Sequence, residues 1–136
     1  MSAFSVYSAN KAIDHILKTA SWTAPEYCYF ALFTSSTGLE ENDSSSWTEV
    51  SDGAYARVDA STSFASASSG SSTNSVAEMI FPTATAAWGD VTHGALMDAA
   101  TGGNVLVWGP LTDGGRTINT GDGPRFLLSA CTFSVA

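Results

Sequence analysis

The sequence predicts a mainly β fold: a single-domain antiparallel β-sandwich or jelly roll carrying one N-terminal α-helix. Three observations predict it. Short apolar runs are separated by glycine-rich turn signals at intervals of about 8–12 residues, the rhythm of a β-sandwich. Only one segment, near the N-terminus, places apolar residues at helical spacing. Charged residues make up 13% of the chain, against roughly 25% in an ordinary soluble domain, and Ser, Thr, Ala and Gly fill the deficit. Such neutral outer faces suit a protein packed among other subunits. With 136 residues, the chain is expected to form one domain, an arm and helix over 1–20 followed by a β-sandwich over 21–136. A chain of this size buries roughly two-thirds of its unfolded surface.

The predicted helix is SANKAIDHILKTA, residues 8–20. Ala12, Ile13, Ile16, Leu17 and Ala20 share one face, and Lys11, Asp14, His15 and Lys18 the other. Ser8 or Asn10 is the expected cap, Lys18 suits the last turn, and His15 is read as a solvated surface residue. EYCYFALFTS (26–35) is apolar throughout, as a strand covered on both faces should be. An acidic loop follows, STGLEENDSSSWTEVSDG, with SWTEV as a short edge strand and Asp52-Gly53 as a turn. AYARVDA (54–60) alternates Tyr55, Arg57 and Asp59 against Ala54, Ala56, Val58 and Ala60, a strand pattern.

The Ser-rich stretch ASTSFASASSGSSTNS (60–75) admits a flexible linker. Because strand-like sequence resumes directly after it, a strand around Phe64 followed by an exposed Ser/Gly loop is preferred. SVAEMIFP (75–82) is expected to bury Val76, Met79, Ile80 and Phe81, with Pro82 closing it. Trp88-Gly89 marks a bend into the next strand. GALMDAA (94–100) and NVLVWGPL (104–111) read as two strands joined by TGGN, where Gly102-Gly103 between Thr101 and Asn104 signals a tight hairpin. DGGR and TGDGPR supply two more turns, and RFLLSACTFSVA reads as one long C-terminal strand. The sum is a helix and roughly eight strands.

The formal net charge is −8, from 13 acids and five bases, Lys11, Lys18, Arg57, Arg116 and Arg125. No basic cluster exists to neutralise phosphates, so neither nucleic acid nor an anionic membrane is an expected partner. The start MSAFSVYSANK lacks a basic region and a continuous apolar run, so no signal peptide is expected and synthesis is assigned to a cytoplasm. Cys28 and Cys131 both sit in apolar runs; free buried thiols and a disulfide are both open.

Constellations for chemistry are sparse. Asp90, His93 and Asp98 are too few for a zinc site, and the glycine loops around Asp113 and Asp122 lack a calcium-loop pattern. Cys28 could meet His93 and Asp98 in space, but mid-strand apolar surroundings disfavour its thiolate. Glu40, Glu41 and Asp43 read as a solvated acidic run. TGGN and DGGR precede no helix and no Walker lysine, so they are turns and not phosphate cradles. The aromatics Trp22, Trp47, Trp88 and Trp108 could form a sugar-binding comb, but core or subunit-contact roles are preferred. No catalytic, cofactor-binding or metal residue and no cofactor is expected, and an enzyme is not. Trp88, Gly89, Gly102, Gly103, Asn104 and Trp108 are singled out for turns and packing.

The order of short motifs is itself informative. YFALFTSS is followed by GAYARVDA, then IFPTATAAWGDVTH, LMDAATGGNVL and GDGPRF. This series, from about Tyr27 to Phe133, resembles a family of small tailed-bacteriophage virion proteins, called tail fibre proteins in some cases and assigned to capsid stabilisation in others. The resemblance implies a non-enzymatic virion structural protein and carries no ligand-binding residues. Long fibres show extended repeats or heptads, and the chain has neither. The leading expectation is therefore a capsid decoration (cement) protein bound to the major capsid protein, as a homotrimer; the alternative is a tail fibre or tail-tip component contacting other tail proteins. Residues 1–20 and the loops 36–52 and 66–75 are the expected contact regions.

Overall fold

The computed structural model describes residues 3–135; residues 1 and 2 of the expected N-terminal arm and residue 136 of the C-terminal strand lie outside them. The fold is mainly β, antiparallel throughout, with one α-helix. Its elements are β1 (Ala3–Phe4), α1 (Val6–Ile16), β2 (Tyr29–Phe33), β3 (Val58–Asp59), β4 (Ser71–Thr73), β5 (Met79–Ile80) and β6 (Gly89–Val91). Then follow β7 (His93–Met97), β8 (Val105–Pro110), a 3-10 turn (Thr112–Gly114), β9 (Arg116–Ile118), β10 (Arg125–Phe126) and β11 (Thr132–Ser134). One five-stranded sheet, in the order β1-β8-β7-β2-β3, is accompanied by three two-stranded ladders, β5–β10, β4–β11 and β6–β9.

The central strand β2 explains the layering. Its residues alternate between two cores, as a pleated strand must. Phe30 and Leu32 pack with Met79, Phe81, Val91, Ile118 and Phe133, which come from or flank the ladders. Ala31 and Phe33 pack on the other face with Leu39, Ala95, Met97 and Val105, joined by Trp47 and Trp108. The expected coverage of this strand on both faces is what the structure shows. Its neighbour β7 makes room for the first core at Gly94: a side chain there would meet the Phe30 ring at 2.6 Å.

Several boundaries differ from the sequence reading, each for a physical reason. The helix runs over 6–16 and not 8–20, because Ser5 is its cap: the fully buried Ser5 hydroxyl accepts the Ser8 amide at 3.2 Å and donates to the Val105 carbonyl. The helix stops before Lys18, which adopts φ +60, while the Thr19 amide returns to the Asp14 carbonyl at 3.0 Å. Its apolar face is not buried: Ile13, Ile16 and Leu17 are 53%, 74% and 65% exposed. The strand expected at 26–35 narrows to β2, and that at 54–60 to β3. SWTEV makes a single bridge, Glu49 to Phe33.

The Ser-rich stretch is neither a linker nor a strand around Phe64. Phe64 lies in a turn with its ring against Phe133, and the strand is Ser71–Thr73, within the Ser/Gly run itself. Val76 and Ile80 are exposed, whereas Met79 and Phe81 are buried as expected. The long C-terminal strand is broken into β10 and β11 by a turn where Ser129 takes φ +63. Asn74 holds that break together. Fully buried, it accepts the Cys131 amide at 2.9 Å through Oδ1 and donates to the Leu127 carbonyl at 2.9 Å through Nδ2.

Replacing Asn74 leaves the buried Cys131 N–H without a partner, whereas the Leu127 carbonyl keeps the Ala130 amide at 3.0 Å. Asn74→Ala is expected to lower the unfolding free energy by about 1–3 kcal/mol, read from the urea midpoint. A change within about 0.5 kcal/mol would mean that the 127–131 turn stands without it.

Candidate functional site

The residues singled out in the sequence converge on two places. Trp88 enters the first core and is 5% exposed. Its indole N–H donates to the Gly53 carbonyl at 3.0 Å, and its ring meets Tyr55 edge-on at 5.3 Å. Gly89, at φ +80, then turns the chain into β6. Gly53 matters as much as Gly89 here: a side chain on it would lie 2.6 Å from the Ala86 amide nitrogen. Trp108 packs on the opposite core beside His93, with ring centroids 6.2 Å apart. Neither tryptophan is part of a surface comb.

Gly102, Gly103 and Asn104 belong to the connection between β7 and β8, where the structure is more elaborate than the tight two-residue hairpin expected. Met97 pairs with Val105, and the Asp98 amide reaches the Asn104 carbonyl at 3.2 Å, so residues 99–103 form the loop. Asp98 holds it shut: its carboxylate accepts the Asn104 backbone amide at 2.6 Å and the Asn104 side-chain amide at 2.8 Å. Asn42 crosses from the acidic loop, donating to Asn104 Oδ1 at 2.9 Å and accepting the Val105 amide at 2.7 Å. Gly102 and Gly103 take φ +60 and +73. Only at Gly103 is space also lacking, since a Cβ would run into Asp98 Oδ1 and come within 2.8 Å of the Ala99 Cβ.

The residue that ties the loop to the rest of the fold is Arg57. Its Nε and Nη2 donate to the two Glu49 oxygens at 2.7 and 2.6 Å, a bidentate pair. Its Nη1 donates to the Ala99 and Gly102 carbonyls at 2.7 and 2.8 Å. Glu49 also accepts the Tyr55 hydroxyl at 3.0 Å, and that hydroxyl accepts the Leu32 amide at 3.0 Å. Burial, with Glu49 beside it, holds the Tyr55 phenol protonated far above its ordinary range. The Arg57 side chain is 3% exposed and that of Glu49 18%. The period-2 pattern of 54–60 is therefore real in an unexpected sense: Tyr55 and Arg57 turn inward, and Ala54 and Ala56 face water. Arg57 was read only as part of that pattern. A lone arginine between small residues, beside an aromatic, was the signal available.

The candidate chemical groups do not assemble. The Cys131 thiol sits in the first core, where burial pushes its pKa up to about 12. Burial also raises Cys28, and both cysteines are free. His93 bonds Thr92 at 2.8 Å, and burial lowers its pKa. Asp43 spends its carboxylate on Ser45 and Ser46, which lower its pKa, Ser46 foremost. Among the described residues no group of three His, Cys, Asp or Glu could hold a metal ion, and no helix is long and apolar enough to cross a membrane. A cleft of about 740 Å³ opens between the five-stranded sheet and the ladders, with Phe126 and Phe133 inside and Arg116, Arg125, Asp113 and Asp122 around it. A hollow of about 370 Å³ lies where Glu40 and Glu41 approach Trp108.

The regions expected to make contacts are firmer than exposed loops usually are. Loop 36–52 is pinned on the second core by Leu39, fully buried, and by Trp47, leaving Glu40 and Glu41 outward. The 66–75 stretch carries β4. The helix, by contrast, offers apolar surface.

A family model described as podophage GP4 fiber I protein gp80 matches residues 3–134. The chain belongs to that family. It is thus a member of a tailed-phage virion structural family, and the gp80 match spans nearly the whole folded unit, from β1 through β11. No curated protein matches the chain.

Two outcomes follow from the loop. Arg57→Ala is expected to cost about 2–3 kcal/mol, because it removes the charge partner of half-buried Glu49 and the donor to the Ala99 carbonyl. Arg57→Lys should recover only part, since an ammonium cannot bridge both carboxylate oxygens and the loop; equal urea midpoints for wild type and Arg57→Lys would contradict this network. At the glycines, Gly102→Ala should lose about 1–2 kcal/mol for its left-handed backbone alone. Gly103→Ala should lose clearly more, because it adds a clash with Asp98. The reverse ranking in thermal melts would refute that assignment.

Proposed function

We propose that the chain is a non-enzymatic fibre component of a tailed-phage virion, one folded module that acts by contact with other tail proteins and participates in host attachment. The observation that carries this reading is the family match over 3–134, whose description names a fibre protein. The site geometry agrees with it. Every strongly hydrogen-bonded polar group described above is committed to the fold: Arg57 and Glu49 to each other and the 99–103 loop, Asp98 to Asn104, Asn74 to the C-terminal turn. The thiols are protonated and His93 packs against Trp108. What the molecule presents outward is surface, which is the working part of a virion structural protein.

The expectation of a capsid decoration protein on the major capsid protein draws no support from the family description. A compact fold without fibre-like repeats is equally served by a module mounted on or within a fibre, so compactness does not favour the capsid.

Deleting the gene for this chain separates the two. Virions lacking it are expected to retain their DNA through heating and osmotic shock as well as wild type, while adsorbing poorly to host cells. The copy number on a virion gel should lie between three and a few dozen, since fibre components follow tail symmetry. Hundreds of copies per particle, with DNA loss on heating in the deletion, would replace the fibre reading with the capsid one.

A further inference from the structure

We infer that the cleft between the five-stranded sheet and the ladders is a binding site for a short, uncharged oligosaccharide. Its volume, about 740 Å³, lies within the roughly 300–1,000 Å³ of small-ligand sites, where an apolar floor and a few polar groups converge. Such a ligand would come from a cell surface, and to that extent the site rests on the host-attachment reading.

The cleft opens where two adjacent strands lack side chains at the same level. Gly94 and Gly109 are cross-strand partners on β7 and β8, and both line it. Neither takes a positive φ, so backbone geometry calls for glycine at neither position. At Gly94 the Phe30 ring needs the room. Gly109, directly opposite, faces the same side of the sheet, and its missing side chain leaves the floor low. Glycine inside a strand often marks the close approach of a ligand. Phe126, half-buried, supplies an apolar wall; its ring is held edge-on against Phe30 with centroids 4.8 Å apart.

The rim says what fits. Of the five bases, Lys11 and Lys18 belong to the helix and the turn after it, and Arg57 is buried in its ion pair. The two that remain, Arg116 and Arg125, both stand at this cleft. Among the described residues Arg116 and Asp113 form no side-chain hydrogen bond or ion pair. Arg125 meets Glu78 only at 4.0 Å, and Asp122 uses one carboxylate oxygen, on the Asn119 amide. Asp113, Gly114 and Gly115 all take positive φ, at 58, 76 and 91, and backbone so constrained is found at ligand clamps. A guanidinium only donates and a carboxylate only accepts, whereas a hydroxyl does both. Two arginines balance two aspartates here, so the rim selects no net charge, and the −8 of the whole chain repels acidic polymers. A sugar ring offers hydroxyls to the rim and an apolar C–H face to the phenylalanine wall. A protein segment would instead bring a row of backbone amides and carbonyls, which a strand edge matches and unpaired charged side chains do not.

Saturation-transfer difference NMR on the full chain tests it, because the method registers weak binding. The probes are neutral short oligosaccharides of glucose, galactose, mannose and N-acetylglucosamine, with galacturonate and sialyl oligosaccharides as the acidic arm and short peptides as the protein arm. Transfer to at least one neutral probe is expected. Arg116→Ala and Arg125→Ala should each weaken that binding about tenfold or more, the loss of one charge-assisted hydrogen bond. Both arginines are exposed, so the variants should keep the fold. Asp113→Asn should weaken binding as well, since Asn tolerates the backbone while the charge is lost. Lys11→Ala and Lys18→Ala, which remove the same charge away from the cleft, should leave affinity unchanged. No transfer to any neutral probe overturns the proposal, and so does transfer that the three cleft variants leave unmoved. Transfer to acidic probes alone overturns the uncharged class, and transfer to peptides alone makes the cleft a protein-docking site instead. Deletion virions that adsorb poorly while no probe binds would sink the cleft alone; normal adsorption with a bound probe would sink the host-attachment reading alone.

Discussion

The fold depends on one buried ion pair placed where three separate segments meet. Arg57 and Glu49 lie only eight positions apart in sequence, yet their contacts reach Leu32 on the central strand through Tyr55 and the 99–103 loop through two carbonyls. A guanidinium can do this because its donors diverge in a fixed plane: one edge grips the carboxylate and the other the loop. A buried pair of this kind adds little net stability over apolar residues of equal size, since desolvating both charges offsets most of the attraction. Its effect is on register. The loop carbonyls of Ala99 and Gly102 can face Arg57 only if the chain between them bends back, and Asp98 and Asn104 close that bend from the other side.

From this constraint the need for glycine follows. A loop drawn inward at both ends has little room for Cβ atoms, and Gly103 sits where Asp98 occupies the space. The same logic recurs at Gly53 beneath Trp88 and at Gly94 against Phe30. The fold is built of short ladders, many of two residues, which supply few backbone hydrogen bonds of their own. Side chains acting as clamps make up the difference: Arg57 for the 99–103 loop, Asn74 for the C-terminal turn, Ser5 for the helix start. Each is a polar residue taken out of water and fully partnered, which fixes one arrangement among the many that a small apolar core would tolerate.

This explains what could and could not be read from the sequence. The mainly β class, the single helix, the two-faced strand at Tyr29–Phe33 and the strands either side of Gly102-Gly103 were legible, because hydropathy period and glycine turns report directly on backbone geometry. Element limits were not. The helix begins at Ser5 because a strand carbonyl 100 residues away holds that serine, a fact no local pattern contains. β4 hides in a serine run because its partner, β11, supplies the apolar side chains, Phe133 opposite Ser72. Arg57 and Asn74 were passed over for the same reason: a buried polar residue is recognised by its partners, and all of theirs except Glu49 are distant in sequence. The motif order was the stronger guide to family, since GAYARV and TGGN are the two ends of one physical contact.

The uneven distribution of apolar surface leads from fold to role. In the body, residues that look exposable by composition, such as Leu39 in the acidic loop and Phe64 in the serine run, are drawn in to cover the two cores. The helix goes the other way, keeping isoleucines in water although the first turn is firmly capped and bonded. The helix is not alone in this: Val76, Ile80 and Leu128 are also more than half exposed. Apolar side chains kept in water are the kind of surface that contacts with other proteins cover, and the chain belongs to a family of virion structural proteins. The polar clamps hold the body in a single shape, so a contact made on such a surface would cost little ordering in the body itself.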